Sequence, residues 1–118
     1  MDKLQALNNF FSKYASAYMT GTTPDNAGYP RITYDASVGG FDEPVTMSVS
    51  LWDRNTAWTG IMRIALQMQS DLDGGKVITY DDGGVWIKPG TPFMQTVSDP
   101  DDTIRRIYIN LEIEYIGG

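Results

Sequence analysis

With 118 residues, 42% of them apolar and 20% charged, the chain has the size and composition of one globular domain rather than of a disordered tail. The absence of cysteine removes disulfides, thiolate metal sites and cysteine nucleophiles, and the absence of histidine removes the commonest general base and metal ligand. A net charge of −6 and a pI near 4.3 disfavour a surface that grips phosphate and suit one that DNA passes without sticking.

A first helix is predicted over Asp2 to Met19. Leu4, Leu7, Phe11, Tyr14 and Tyr18 recur at steps of three and four, with Phe10 and Ala15 widening the stripe. This spacing is not the continuous apolar core of a signal peptide, and no run approaches the roughly 20 residues needed to cross a bilayer. Gly21 closes the helix, and a loop dense in turn formers follows. A short strand is expected at Arg31–Asp35, then a flexible connection at Val38–Phe41.

Pro44–Asp53 reads as a strand with Val45, Met47, Val49 and Leu51 on one face and Thr46, Ser48, Ser50 and Trp52 on the other. Asn55 or Thr56 is the expected N-cap of a second helix, whose stripe is Trp58, Ile61, Ala65, Met68 and Leu72, supported by Met62 and Ile64. Gly74–Gly75 ends it. Lys76–Tyr80 and Val85–Lys88, flanking Asp81–Asp82–Gly83–Gly84, carry a hairpin signal. Pro89–Asp102, with three prolines, reads as a long loop holding a short strand at Phe93–Val97.

The last stretch, Thr103–Tyr115, alternates strictly. Ile107, Ile109, Leu111, Ile113 and Tyr115 point one way; Arg106, Tyr108, Asn110, Glu112 and Glu114 point the other. Strands usually run about 3–10 residues, so this one is expected to project beyond its own sheet. Together the elements predict a single α+β domain over 1–118, two helices packed on one mainly antiparallel, twisted β-sheet.

No motif carries catalysis, and no cofactor is implied. The clusters Asp99/Asp101/Asp102, Asp81/Asp82 and Asp71/Asp73 lack the alternate-oxygen spacing and closing carboxylate of a calcium loop and read as solvating charge. Glu112 and Glu114 share an exposed strand face, not a carboxylate pair for acid–base work. Neither glycine pair is followed by the Gly-Lys-Ser/Thr of a phosphate loop. The nine basic residues are spread along the chain, so no cationic footprint is expected; Arg105 and Arg106 are candidates for subunit contact. Trp58 belongs to a helix stripe and reads as core. Trp52 and Trp86 are candidate partner-covered aromatics, and Phe93, Tyr108, Glu112 and Glu114 complete the candidate interface.

Three phrases, Tyr29-Pro30-Arg31-Ile32-Thr33-Tyr34, Met47-Ser48-Val49-Ser50-Leu51-Trp52-Asp53-Arg54 and Arg106-Ile107-Tyr108-Ile109-Asn110-Leu111-Glu112-Ile113-Glu114-Tyr115, in this order and around two helices, resemble the tail terminator (tail completion) proteins of long-tailed phages. The resemblance implies a structural virion protein, not an enzyme, assembled in the host cytoplasm. It implies a homo-oligomeric ring, hexameric, that caps the tail tube, stops its polymerisation and joins the tail to the head connector. It also implies DNA passing through the lumen without specific binding, and no membrane role. On this reading, loops Gly21–Tyr29, Ala36–Glu43 and Pro89–Asp102 contact the tube and the connector, and the long strand extends a sheet between subunits.

Other readings are a different head–tail joining protein (stopper or connector) or a tail-tube subunit, which would form open tubes alone. A small metal-dependent acidic enzyme at Asp99–Asp102 would be chelator-sensitive. A carbohydrate-binding module would use Trp52 and Trp86.

Overall fold

The computed structural model describes residues 1–35 and 45–117. The expected connection Val38–Phe41 and contact loop Ala36–Glu43 lie outside the described residues. The elements are α1 (Lys3–Ser12), β1 (Ser16–Met19), β2 (Arg31–Tyr34), β3 (Val45–Arg54), α2 (Thr59–Asp71), β4 (Lys76–Tyr80), β5 (Gly83–Val97) and β6 (Ile104–Gly117). All strands join one sheet in the order β1-β2-β3-β6-β5-β4.

The expected α+β architecture is corrected. Strand accounts for 48% of residues and helix for 21%, so the protein is mainly β: a single curled half-barrel sheet with two short helices. The sheet is also mixed, because β1 runs parallel to β2 while every other pairing is antiparallel.

Two misread segments account for the difference. The first helix stops at Ser12, and Ser16–Met19 becomes β1, matched to Arg31–Tyr34. Helical spacing across Tyr14 and Tyr18 is accidental there; pairing with a distant strand outweighs a weak local propensity. Leu4, placed on the stripe, is 49% exposed, and the buried face is Ala6, Leu7, Phe10 and Phe11. The helix start is set by a capping box: Asp2 accepts from the Gln5 amide at 2.8 Å, and the Gln5 side chain accepts from the Asp2 amide at 3.1 Å.

The second misreading is Pro89–Asp102. Strand β5 continues through the prolines to Val97, and only Ser98–Thr103 connects it to β6. Register slips between Pro89↔Leu111 and Met94↔Ile109, leaving residues 90–93 as a bulge opposite Asn110. Strand β4 pairs with β5 only as far as Ile87, so the proline-bearing half is an edge, where proline is tolerated. The hairpin turn is also tighter than expected. Asp81 and Asp82 alone form it, and Gly83 and Gly84 lie inside β5 without positive φ.

Where alternation was strict, structure follows it. Ile107, Ile109, Leu111 and Ile113 are fully buried and Tyr115 nearly so. They face Met47, Val49 and Leu51 of β3 and Val85 and Ile87 of β5. Strand β6 does not project past its sheet, however. Its backbone pairs with β3 from Ile104 to Ile113 and with β5 from Arg106 to Gly117, so it is the central strand.

Both helices cover the apolar face. From α2, Ile61, Ala65, Met68 and the following Leu72 are buried there, and Phe11 of α1 packs on Tyr34 with ring centroids 4.8 Å apart. Each such large side chain contributes about 1.5–3 kcal/mol of burial. The expected cap of α2 is absent: Trp58 occupies the N-cap without a side-chain bond, while Asn55 accepts from Ala57 in the preceding loop. Gly74 and Gly75 end the helix region at φ +79° and +87°.

Candidate assembly surface

Strand period two sends every second residue to the face opposite the helices, and the registers arrange these residues in rows. Arg31, Trp52 and Arg106 form one row across β2, β3 and β6, continued by Val97 of β5. The next row is Thr33, Ser50, Tyr108 and Gln95. Farther along come Ser48 with Asn110, then Thr46, Glu112 and Lys88, then Glu114, Trp86 and Val77. Neither described helix covers this face.

Polar side chains hold its aromatic groups in place. The Trp52 indole donates to Thr33 Oγ1 at 3.0 Å, and the Tyr108 hydroxyl donates to Ser48 Oγ at 2.7 Å. The Arg106 guanidinium donates to Ser50 Oγ through Nε (3.3 Å) and Nη2 (3.1 Å) and lies 4.5 Å from the Trp52 ring centre. It thereby hides Ser50, which is only 6% exposed although no helix lies over it. Asn110 donates to the Pro92 carbonyl at 2.9 Å and fastens the β5 bulge to the same face.

The basic residues are not scattered in space. Arg31, Arg54, Arg105 and Arg106 meet at one end of the sheet, each beside an aromatic ring: Arg31 and Arg54 at Tyr29 (4.3 and 5.3 Å), Arg105 at Trp58 (5.5 Å), Arg106 at Trp52. This corrects the expectation of no cationic footprint; strand register, invisible in linear spacing, brings them together. Their charges differ in availability. Arg54 lies 3.7 Å from Asp101, and Arg105 is tied to the Thr56 and Asp102 carbonyls. Arg31 donates to the Ala27 carbonyl and Arg106 to Ser50; among the described residues neither has a carboxylate within salt-bridge distance. A cavity of about 410 Å³ opens between Tyr29, Arg31, Trp52 and Arg54, rimmed by Asp99 and Asp101. The buried Arg31 Nε at this site has no hydrogen-bond partner among the described residues.

Of the candidate residues, Trp52, Arg106 and Tyr108 are brought together, and Glu112, Glu114 and Trp86 share their face about 14 Å or more along it. Trp86 is 36% exposed, with the Lys88 ammonium 4.4 Å from its ring centre. Arg105 lies on the opposite side of β6, at the start of α2. Phe93 is only 7% exposed and belongs to the core, because the bulge turns it inward.

A second apolar surface was missed. Trp58, Met62 and Leu66 recur at i, i+4 and i+8 on the outer side of α2, lining a cavity of about 560 Å³ with Arg63 and Gln67. Leu66, 52% exposed, is the residue whose spacing would have revealed it.

The acidic turn at Asp99–Asp102 is held by its own backbone. Asp99 accepts from the Asp101 amide, and Asp101 accepts from the amide and hydroxyl of Thr103, which hold its carboxyl below the usual range. Among the described residues no three carboxylates converge as a metal ion would require, and no helix is long and apolar enough to cross a membrane. No protein-family model matches the chain, and no curated protein compared with it matches either.

Proposed function

We propose that this chain is a structural subunit rather than a catalyst, and that it builds the ring implied by its resemblance to tail terminators. Six copies close head to tail, seat on the last ring of tail-tube protein, stop its growth and offer their other side to the head connector. A heterologous contact that closes gives a ring, and one that does not gives a fibre. DNA slides through a lumen of like charge.

The observation that supports this reading best is the open sheet face. Trp52, Tyr108 and Arg106 are amphipathic groups of the kind that anchor interfaces, and their internal hydrogen bonds already fix them. A partner meeting them loses little side-chain entropy. The decisive experiment is genetic. Deleting the gene from its phage is expected to give tails of uncontrolled length, seen by electron microscopy; tails of normal length reject the role.

A further inference from the structure

The open face is electrically two-ended. Arg31 and Arg106 occupy one end, and Glu112 and Glu114 the other, eight residues and about 27 Å along β6. Lys88 is the remaining charge between them, a register neighbour of Glu112 drawn over Trp86. No ion pair joins these five groups to one another or to any described residue. Within the molecule the two ends are too far apart to neutralise each other.

We propose that a second copy of the chain binds on this face, with Arg31 and Arg106 of one copy set against Glu112 and Glu114 of the next. The contact sets one face against the same face of the second copy, so it is isologous and goes beyond the ring reading: it joins two copies and leaves the head-to-tail contact to other surfaces. Charge complementarity selects the occupant. The face is self-complementary once the second copy is turned end for end, whereas a polyanion such as DNA would meet Glu112 and Glu114 at one end. Four strands at about 4.8 Å spacing and about 27 Å of length give on the order of 500 Å² per copy, below the roughly 800 Å² of a standard stable interface. Such a contact is reversible and salt-sensitive.

The test is sedimentation velocity on the full chain, comparing wild type with Arg106→Glu and with Glu114→Arg, each alone and mixed in equal amounts. Wild type is expected to self-associate, and to weaken about tenfold or more between roughly 0.05 M and roughly 0.5 M salt. Each single reversal is expected to lose association about tenfold or more, and the mixture to regain it, because each variant then offers the charge the other lacks. Recovery in the mixture also shows that both variants are folded. A wild type that stays monomeric at high concentration, association indifferent to both reversals, or a mixture no better than its components would overturn the assignment. So would binding of a labelled DNA duplex that Arg106→Glu abolishes. Salt-sensitive association in a protein whose deletion leaves tail length normal keeps the surface and rejects only the tail role.

Discussion

An alanine at Gly83 would place its Cβ 2.2 Å from the Ile116 carbonyl oxygen, a backbone atom of the adjacent strand that cannot swing aside. At Gly75 the same substitution also meets an atom at 2.2 Å, but that atom is Trp86 Nε1, the end of a partly exposed side chain that can rotate away. Gly83→Ala must therefore part β5 from β6, at a cost of about 3 kcal/mol, whereas Gly75→Ala bears chiefly the strain of φ +87°, about 1 kcal/mol. Thermal unfolding should rank them in that order, and tryptophan fluorescence should shift for Gly75→Ala. A second prediction concerns Tyr14, whose hydroxyl donates to Asp71 at 2.7 Å. That bond, with a smaller one from Gln67, holds the Asp71 carboxyl below its usual range; burial first, then Asp71 itself, pushes the Tyr14 phenol up. A lowered carboxylate adds stability above its unfolded value that is lost as pH falls through the folded one, below about 4. A raised phenol contributes in the opposite sense, its share complete below about pH 10 and lost above it. Tyr14→Phe should lower the urea midpoint near neutral pH, where both shares are present, and so flatten both limbs of its plot against pH.

Among the elements, β5 is the one whose shape depends most on a single side chain. Asn110 fastens the bulge at residues 90–93 through the Pro92 carbonyl. Asn110→Ala is expected to cost about 1 kcal/mol and to lower hydrogen-exchange protection over Met94–Val97, but not over Val85–Ile87, where β4 also supports the strand. The bulge explains why this region was illegible in the sequence. Across it the core-facing phase moves from Val85, Ile87 and Pro89 to Met94 and Thr96, so neither period holds over the whole element. With prolines added, the segment reads as loop, and Phe93 reads as surface. Strand β1 was lost differently: Ser16–Met19 has no alternation of its own and takes its conformation from Arg31–Tyr34, a partner fifteen residues away. What was legible rests on uninterrupted period: the buried row of β6, the α2 stripe from Ile61 to Leu72, and the glycine stop after it. The same periodicity placed Trp52, Arg106 and Tyr108 on one face. It could not place Arg31 beside them, because only the register of three strands does so.

For the whole molecule, the sheet has two lateral borders, β1 and β4, and α1 packs against both. On β1, Asn8 of α1 donates to the Ala17 carbonyl at 3.0 Å while its second bond, at 2.9 Å, reaches the Tyr34 hydroxyl. On β4, α1 also packs, with Ala6, Asn9 and Phe10 facing Val77–Thr79, and beyond the strand the Asp81 amide donates to the Met1 carbonyl. Asn8→Ala is expected to leave the fold intact but raise thioflavin-positive aggregation of concentrated protein, because it strips the cover from β1. An unchanged aggregation rate would mean that α1 shields this margin by bulk alone. This has a consequence for growth by strand addition. A fibril needs every molecule to accept a neighbour on both flanks, and one helix laid against both margins hinders the two at once.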